Sequence, residues 1–262
     1  MSKHYFDPAA LYNLKGRTAV VTGGGSGLGR QFALVLAEAG ARVAVTGRKL
    51  EPLQETVRLV QEIGGTAMAA SMDVMQPESI QAALAEIEAQ FGVADILLNN
   101  AGSNRAKFAT DVTPDDWDAV LDTNLKGCFF VAQEFAKKLK AAGKGGSIIN
   151  MASVIGLRTQ KAISAYMAAK AGLLHLTRGL ALEWASSGIR VNALAPGYFR
   201  TELTGAFLDT DAGKKLISSS PMKRGGNLDE LCAPMMLLAS DAGSFITGSV
   251  VVVDGGHSIS SL

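Results

Sequence analysis

The sequence predicts an α/β fold, a doubly wound parallel sheet with helices on both faces. Three observations carry this reading. Strand-like and helix-like segments alternate along almost the whole of the 262 residues. The strand segments VVT, RVAVT, DILLN and VVVV are apolar on both sides, as strands covered on two faces must be. Repeated strand–helix units imply right-handed crossovers between parallel neighbours.

Taken in order, residues 17–22 (RTAVVT) are short, rich in β-branched residues and stopped by glycines, which makes them a buried strand. Residues 28–39 carry Leu28, Phe32, Val35, Leu36 and Ala39 at helical spacing, with Gly40 as the stop. A second strand over 42–46 is followed by an amphipathic helix over 49–63 that ends at Gly64 and Gly65. The pattern continues with a strand at 66–70, a helix at 77–91 and a strand at 95–98. A long helical stretch then covers 114–142. After a strand at 147–151 comes a second long helix over 163–186. Strands at 190–194 and 249–253 flank a helix over 228–239. Residues 197–224 are the one long stretch outside the alternation and read as a lid over a site. Without a linker, repeat or low-complexity tract, the expectation is a single domain over 1–262, with a lid and substrate loop at about 198–225.

Composition excludes several classes of function. The 25 Lys and Arg balance 24 Asp and Glu, so no net field draws the chain to nucleic acid or an anionic membrane. No apolar run approaches the ~20 residues of a membrane-spanning helix, and the N-terminal residues lack the apolar stretch of a secretory signal. Two cysteines, Cys128 and Cys232, form no CxxC pair and no disulfide framework. His4, His175 and His257 are scattered, so no metal site is expected. Cytoplasmic location is the reading that suits reduced thiols. A mean hydropathy of +0.20 points to a large core, extended by a buried subunit interface.

Between the first strand and the first long helix lies TGGGSGLG at 22–29. Gly23, Gly25, Gly27 and Gly29 permit a tight turn and close approach of the backbone to a diphosphate. Ser26 and Leu28 stand where the helix N-terminus offers unpaired N–H groups. A glycine string alone is a weak signal. Its place between a strand and a helix makes it a dinucleotide-binding turn and the fold Rossmann-type. At the end of the second strand, NAD binding calls for an acidic residue on the adenosine ribose. This chain has Thr46-Gly47-Arg48-Lys49 and no carboxylate until Glu51. A guanidinium can clamp a 2′-phosphate, so Arg48 favours NADP(H), with NAD(H) as the lesser reading. Asp73 after the third strand is placed for the adenine amino group, with Val74 beside the ring. Asn100, Ala101 and Gly102 follow the fourth strand at the carboxyl edge, where Asn100 suits both strand-end and cofactor contacts.

Tyr166 and Lys170 are four residues apart, on one face of a helix. A free phenol, with a pKa of about 10, is a poor acid–base group at neutral pH; a neighbouring ammonium and a cationic nicotinamide ring would favour its phenolate. Ser153 follows the fifth strand, thirteen residues before Tyr166, where its hydroxyl can donate to a carbonyl.

Together these elements resemble the short-chain dehydrogenase/reductase family in its single-domain branch. The resemblance covers almost the whole chain: TGGGSGLG at 22–29, Asp73, NNAG at 99–102, Asn124, Ser153, YMAAK at 166–170, PG at 196–197, Thr201 and DGG at 254–256. It implies a catalytic set of Asn124, Ser153, Tyr166 and Lys170, the last two also touching the cofactor. It further implies nicotinamide and diphosphate contacts from Phe199 and Thr201, and a homotetramer, with a dimer as the second reading. GLRT at 156–159 and PGYFRTELT at 196–204 are similar to the gluconate 5-dehydrogenase-like branch. The expected activity interconverts a small-molecule ketone and a secondary alcohol. The alternatives are a 3-oxoacyl thioester reductase, an NAD(H)-using sugar or sugar-acid dehydrogenase, and a nucleotide-binding regulator without catalysis. Arg105, Lys107, Arg158, Lys161 and Arg200 form a local basic excess in the expected substrate segments, suited either to an anionic substrate or to a solvated rim.

Overall fold

The computed structural model describes residues 7–201 and 204–259. His4, and Glu202 and Leu203 of the expected lid, lie outside the described residues. A short helix α1 (Pro8–Leu11) precedes β1 (Thr18–Thr22), α2 (Gly27–Glu38), β2 (Arg42–Gly47), α3 (Leu50–Glu62), β3 (Thr66–Ser71), α4 (Pro77–Phe91) and β4 (Ile96–Asn99). Then come α5 (Pro114–Leu121), α6 (Gly127–Ala141), β5 (Gly146–Met151), α7 (Ser164–Trp184) and β6 (Ile189–Pro196). Two short helices, α8 (Gly205–Leu208) and α9 (Asp211–Ser218), lead to α10 (Cys232–Ala239) and β7 (Val250–Val253).

The seven strands form one sheet in the order β3-β2-β1-β4-β5-β6-β7, every pair parallel. Strand order reverses between β1 and β4, and at such a switch point α/β sheets bind ligands beyond their carboxyl ends. The alternation of side chains along each strand splits the core into two layers. Val21, Val43, Val45, Leu98 and Ile149 pack with Phe32 and Leu36 of α2, Leu53 of α3 and Met235 of α10. Val20, Ala44, Leu97, Ile148 and Val191 pack on the other face with Ile80 and Ile87 of α4, Phe135 of α6 and Leu180 of α7.

The helical stretch expected over 114–142 is interrupted. Residues Asp122–Lys126 form a π turn between α5 and α6, in which the Gly127 N–H reaches back to the Asp122 carbonyl. A one-residue bulge of this kind rotates the side chains beyond it, and Asn124 sits within it. The helix expected over 228–239 likewise opens with a 3-10 turn at Leu228–Leu231 before α10. The stretch outside the alternation contains α8 and α9. Among the described residues, no helix is long and apolar enough to cross a membrane.

Candidate active site

The glycine turn is built by close contacts that exclude side chains. Gly23 has φ +65°, and a Cβ on it would lie 3.0 Å from Ala101 Cα. At Gly29 a Cβ would fall 2.2 Å from the Gly23 carbonyl oxygen, so α2 can begin directly under the turn only with glycine there. Ser26 is the residue before α2, and no side chain caps that helix. Its first N–H groups are therefore available to an anion, with the positive end of the helix dipole behind them.

The turn is held from behind by residues that sequence reasoning missed. Thr56, fully buried on α3, donates to the Gly24 carbonyl at 2.8 Å. Arg30 donates to Thr56 Oγ1 at 3.1 Å and also binds the Gly25 carbonyl. Arg30 directly follows the motif and carries a faint signal; Thr56 lies 27 residues beyond Gly29 and carries none. Asn100 joins strand ends: its amide donates to the carbonyls of Thr22 and Gly23 at 3.0 and 3.2 Å. The Thr22 hydroxyl accepts the main-chain N–H of both Asn100 and Ala101 at 3.0 Å. Arg48 and Lys49 are exposed beyond β2, and neither forms an ion pair or side-chain hydrogen bond among the described residues. The Asp73 carboxylate turns back to accept the Met75 N–H at 3.0 Å. Val74 is pressed onto α6, where a Cβ on Gly127 would lie 2.8 Å from the Val74 carbonyl oxygen.

At the carboxyl end of β5 and the start of α7 the fold brings together Ser153, Tyr166, Lys170 and Asn124. Lys170 is only 4% exposed and donates from Nζ to the Met151 carbonyl at 2.7 Å. Its Nζ lies 5.4 Å from the centroid of the Tyr166 ring. Ser153 caps the 3-10 turn Val154–Gly156, its Oγ accepting the Ile155 N–H at 3.2 Å. That turn packs tightly on α7, since a Cβ on Gly156 would lie 2.9 Å from the Lys170 carbonyl. Asn124 is fully buried and donates to the carbonyls of Ser103 and Val120 at 2.7 and 2.9 Å. Its Oδ1 is buried with no hydrogen-bond partner among the described residues, an acceptor available to a solvent molecule or ligand.

A buried polar chain sets these helices against the sheet. Asn99 donates to the Cys128 carbonyl and to Asn150 Oδ1, and Asn150 to Thr177 Oγ1, each at 3.0 Å. Burial pushes the Cys128 thiol up, so it remains a thiol.

Four of the five candidate substrate cations are engaged within the fold. Arg105 and Lys107 both bind Asp116, at 3.2 and 2.5 Å. Arg200 pairs with Asp209 at 2.7 Å, and Arg158 donates to the His257 carbonyl. Lys161 is exposed, with no side-chain bond among the described residues. Phe199 is buried and its carbonyl accepts from Thr204 Oγ1; Thr201 Oγ1 lies 3.0 Å from the same hydroxyl. The Thr201 side chain also approaches the glycine turn, 3.8 Å from where a Cβ on Gly27 would stand.

A parallel sheet with an uncapped glycine turn at its switch point, and a Ser–Tyr–Lys cluster two strands away, defines a nucleotide-dependent oxidoreductase. Residues 23–258 match the family model described as enoyl-(acyl carrier protein) reductase. The chain is 37% identical over 248 residues to 2-dehydro-3-deoxy-D-gluconate 5-dehydrogenase of Escherichia coli (strain K12), covering 94% of this chain and 97% of that one. It is 36% identical to cyclohexanol dehydrogenase of Acinetobacter sp. (strain SE19), over 92% of this chain and 94% of that one. A crystal structure of a gluconate 5-dehydrogenase from Burkholderia cenocepacia J2315, in complex with NADP and tartrate, superposes with a TM-score of 0.93 at 39% identity. That match covers 97% of this chain and 100% of the other. The chain belongs to the short-chain dehydrogenase/reductase family, and it is an enzyme that interconverts ketones and secondary alcohols.

Proposed function

We propose that the protein reduces a compact, oxygen-rich ketone of the sugar-acid or polyol class, and oxidises the matching secondary alcohol, with NADP(H) as cofactor. The carrying observation is the convergence of Ser153, Tyr166, Lys170 and Asn124 beside a glycine turn built to take a diphosphate. The uncapped start of α2, the tight turn that a Cβ on Gly23 or Gly29 would disrupt, and Arg48, without a side-chain partner among the described residues, all fit a phosphorylated dinucleotide.

When bound, the reduced cofactor supplies hydride to the carbonyl carbon. The Tyr166 hydroxyl gives its proton to the carbonyl oxygen, and the Ser153 hydroxyl donates to that oxygen and stabilises its developing charge. Lys170, anchored on Met151, holds its ammonium 5.4 Å from the centroid of the Tyr166 ring. Asn124 Oδ1 is the acceptor that would hold a water between Lys170 and solvent, through which the proton is restored. Gly23, Gly25, Ser26, Gly27, Leu28 and Gly29 bind the diphosphate, Arg48 the 2′-phosphate, and Asp73 and Val74 the adenine. Asn100, Ala101, Gly102, Phe199 and Thr201 line the path of the nicotinamide riboside.

Residues 1–262 act as one domain, a reading supported by a single sheet that contains every strand from β1 to β7. The assembly is a homotetramer in the cytoplasm. An open groove between α6 and α7, lined by Phe129, Leu176, Gly179 and Trp184, and the fully exposed Phe245 before the edge strand β7 are the faces it would cover.

The test is consumption of NADPH, and separately NADH, with 5-keto-gluconate, cyclohexanone, acetoacetyl-CoA and an aryl ketone. NADPH-selective turnover that is best on the oxygen-rich ketone is the expected result. Turnover best on the thioester would establish the 3-oxoacyl reductase instead, and silence with every carbonyl and with the corresponding alcohols would overturn the catalytic reading.

A further inference from the structure

The Tyr198 side chain is held by two segments far apart in the sequence. Its hydroxyl donates to Gln160 Oε1 at 2.5 Å, and its ring meets the His257 ring edge-on at 5.1 Å. The turn that carries His257 is itself fixed. Its carbonyl accepts from Arg158, and the Asp254 carboxylate accepts the N–H groups of Gly256 and Ser258 at 2.9 and 2.6 Å. Gly197 lets that turn close onto the end of β6, for a Cβ there would lie 2.8 Å from Asp254 Cα. Gln160 is seated in turn on the first turn of α7, its N–H directed at Met167 Sδ at 3.2 Å, one residue beyond Tyr166. Two residues on, Ala162 takes φ +64°, an uncommon conformation for a residue with a Cβ, and its carbonyl accepts the Lys107 N–H at 2.8 Å.

Tyr198 adjoins two different spaces. On one side, Gln160, which holds the Tyr198 hydroxyl, rests on Met167, the residue after Tyr166; burial first, and the neighbouring Tyr166 second, push Tyr198 up to about 12. It is therefore a neutral phenol throughout the working pH range. The same side chain lines a cavity of about 90 Å³ beneath α9, with Phe199, Leu216, Ile217, Met222 and Val253. Three charged side chains line that cavity: Arg224 and Glu230 are paired with each other at 2.5 Å, and the Asp254 carboxylate accepts the N–H groups of Gly256 and Ser258. Each of these charges is engaged within the fold, so the cavity suits an apolar group. An engineered cavity of about 150 Å³ takes a benzene ring; this one fits a short alkyl branch.

We propose that Tyr198, pinned by Gln160 and His257, is a specificity-determining residue: a wall between the catalytic groove and the apolar cavity under α9, which confines the enzyme to compact, oxygen-rich ketones. The ring denies the cavity to a substrate's side branch, and its tie to Gln160 presents a polar surface to substrate hydroxyls. This inference rests on the ketone reduction proposed above.

The experiment compares kcat/KM for cyclohexanone and 4-propylcyclohexanone, with NADPH, in the wild type, Tyr198→Ala and Tyr198→Leu. Removing the ring joins the two spaces. Both variants are expected to raise the ratio of the propyl to the parent ketone at least tenfold, with NADPH affinity measured by fluorescence held within twofold. Refilling the cavity in the same background, as Tyr198→Ala with Ile217→Phe, should return the ratio towards the wild-type value. Tyr198→Leu keeps an apolar side chain in place should the alanine variant fold poorly. A wild type that turns over both ketones, beside folded variants whose ratio stays within twofold, overturns the inference alone. A wild type that reduces no ketone overturns the proposed function and the inference with it.

Discussion

The Lys170 ammonium is tied to the main chain of the strand that leads to Ser153: Nζ donates to the Met151 carbonyl at 2.7 Å. Together with the Asn150–Thr177 hydrogen bond and the packing of Gly156 on α7, this bond holds α7 against the end of β5. Lys170→Met keeps the length and packing of the side chain and deletes both the charge and the donor. It is expected to lower kcat by about 10²–10⁴-fold, the range of a lost acid–base function. It should also leave the Met151 carbonyl unpaired and lower Tm. Turnover and thermal melts on the same preparation check both effects; a fall in Tm with kcat unchanged would leave Lys170 a purely structural residue.

Tyr166→Phe separates proton transfer from packing. The ring stays against Val154, Ile155 and Ile163, and only the hydroxyl is lost. NADPH should bind as before by fluorescence titration, while kcat falls about 10²–10⁴-fold. Ser153→Ala should be impaired less, because it loses one donor to the oxyanion and retains the proton source. Full activity in Tyr166→Phe would rule out the proposed mechanism.

Arg48 at the end of β2 is exposed and has no side-chain partner among the described residues, so cofactor choice can be tested on one side chain. Charge-assisted hydrogen bonds contribute about 1.5–3 kcal/mol each. Arg48→Glu replaces such a donor with a carboxylate that repels a 2′-phosphate and can accept from ribose hydroxyls. The ratio of kcat/KM for NADPH over NADH should drop about 10–100-fold. Steady-state rates with both cofactors are the check, and an unchanged ratio would move the selectivity to Lys49 or to the backbone.

The architecture and the reacting groups were legible in the sequence because both rest on local pattern. Glycine spacing after a short apolar strand, and a phenol and an ammonium one helical turn apart, are signals within a few residues. What the sequence hid is held by distant contacts. Thr56 supports the Gly24 carbonyl from another helix, and Tyr198 meets Gln160 and His257 from two other segments. The break in the long helix at Asn124 was equally silent, because a π turn needs no special residue; Gly127 at its end packs closely on the Val74 carbonyl. The basic cluster shows the same limit: Arg105 and Lys107 pair with Asp116 on the following helix, an engagement that the local charge count does not reveal.

Asp116 is the anchor of the loop that carries Ser103. It accepts from Lys107, Arg105 and Thr113 while completing the capping box of α5. The Lys107 ammonium, then Thr113, hold its carboxyl well below the usual carboxylate range. A group whose folded pKa is depressed adds stability above its unfolded pKa and loses it as pH falls towards the folded value. The Tm gap between wild type and Asp116→Asn should therefore be constant from pH 7 to pH 5 and narrow near pH 3. The freed loop should also raise KM for the ketone more than it lowers kcat. A gap that widens in acid would contradict the ion-pair assignment.

The glycine turn offers a direct test of the dinucleotide cradle, because two of its positions fail for different reasons. At Gly29 a methyl would strike the Gly23 carbonyl at 2.2 Å, a backbone atom that cannot move without opening the turn. At Gly27 the nearest atom to an added methyl is 3.8 Å away, and the obstacle is φ +51° alone. Overpacking of the first kind costs typically 1–3 kcal/mol and sometimes more, whereas a single residue held in the left-handed region costs about 1–2 kcal/mol. Gly29→Ala is thus expected to lose both Tm and NADPH affinity. Gly27→Ala should keep most of its Tm and lose affinity chiefly through the changed path of the N–H groups at the start of α2. Melting curves with and without saturating NADPH separate the two. Gly27→Ala should show a reduced ligand-induced shift from a near-normal baseline, and Gly29→Ala a low baseline with little shift. Normal ligand-induced stabilisation in both variants would place the diphosphate somewhere other than this turn.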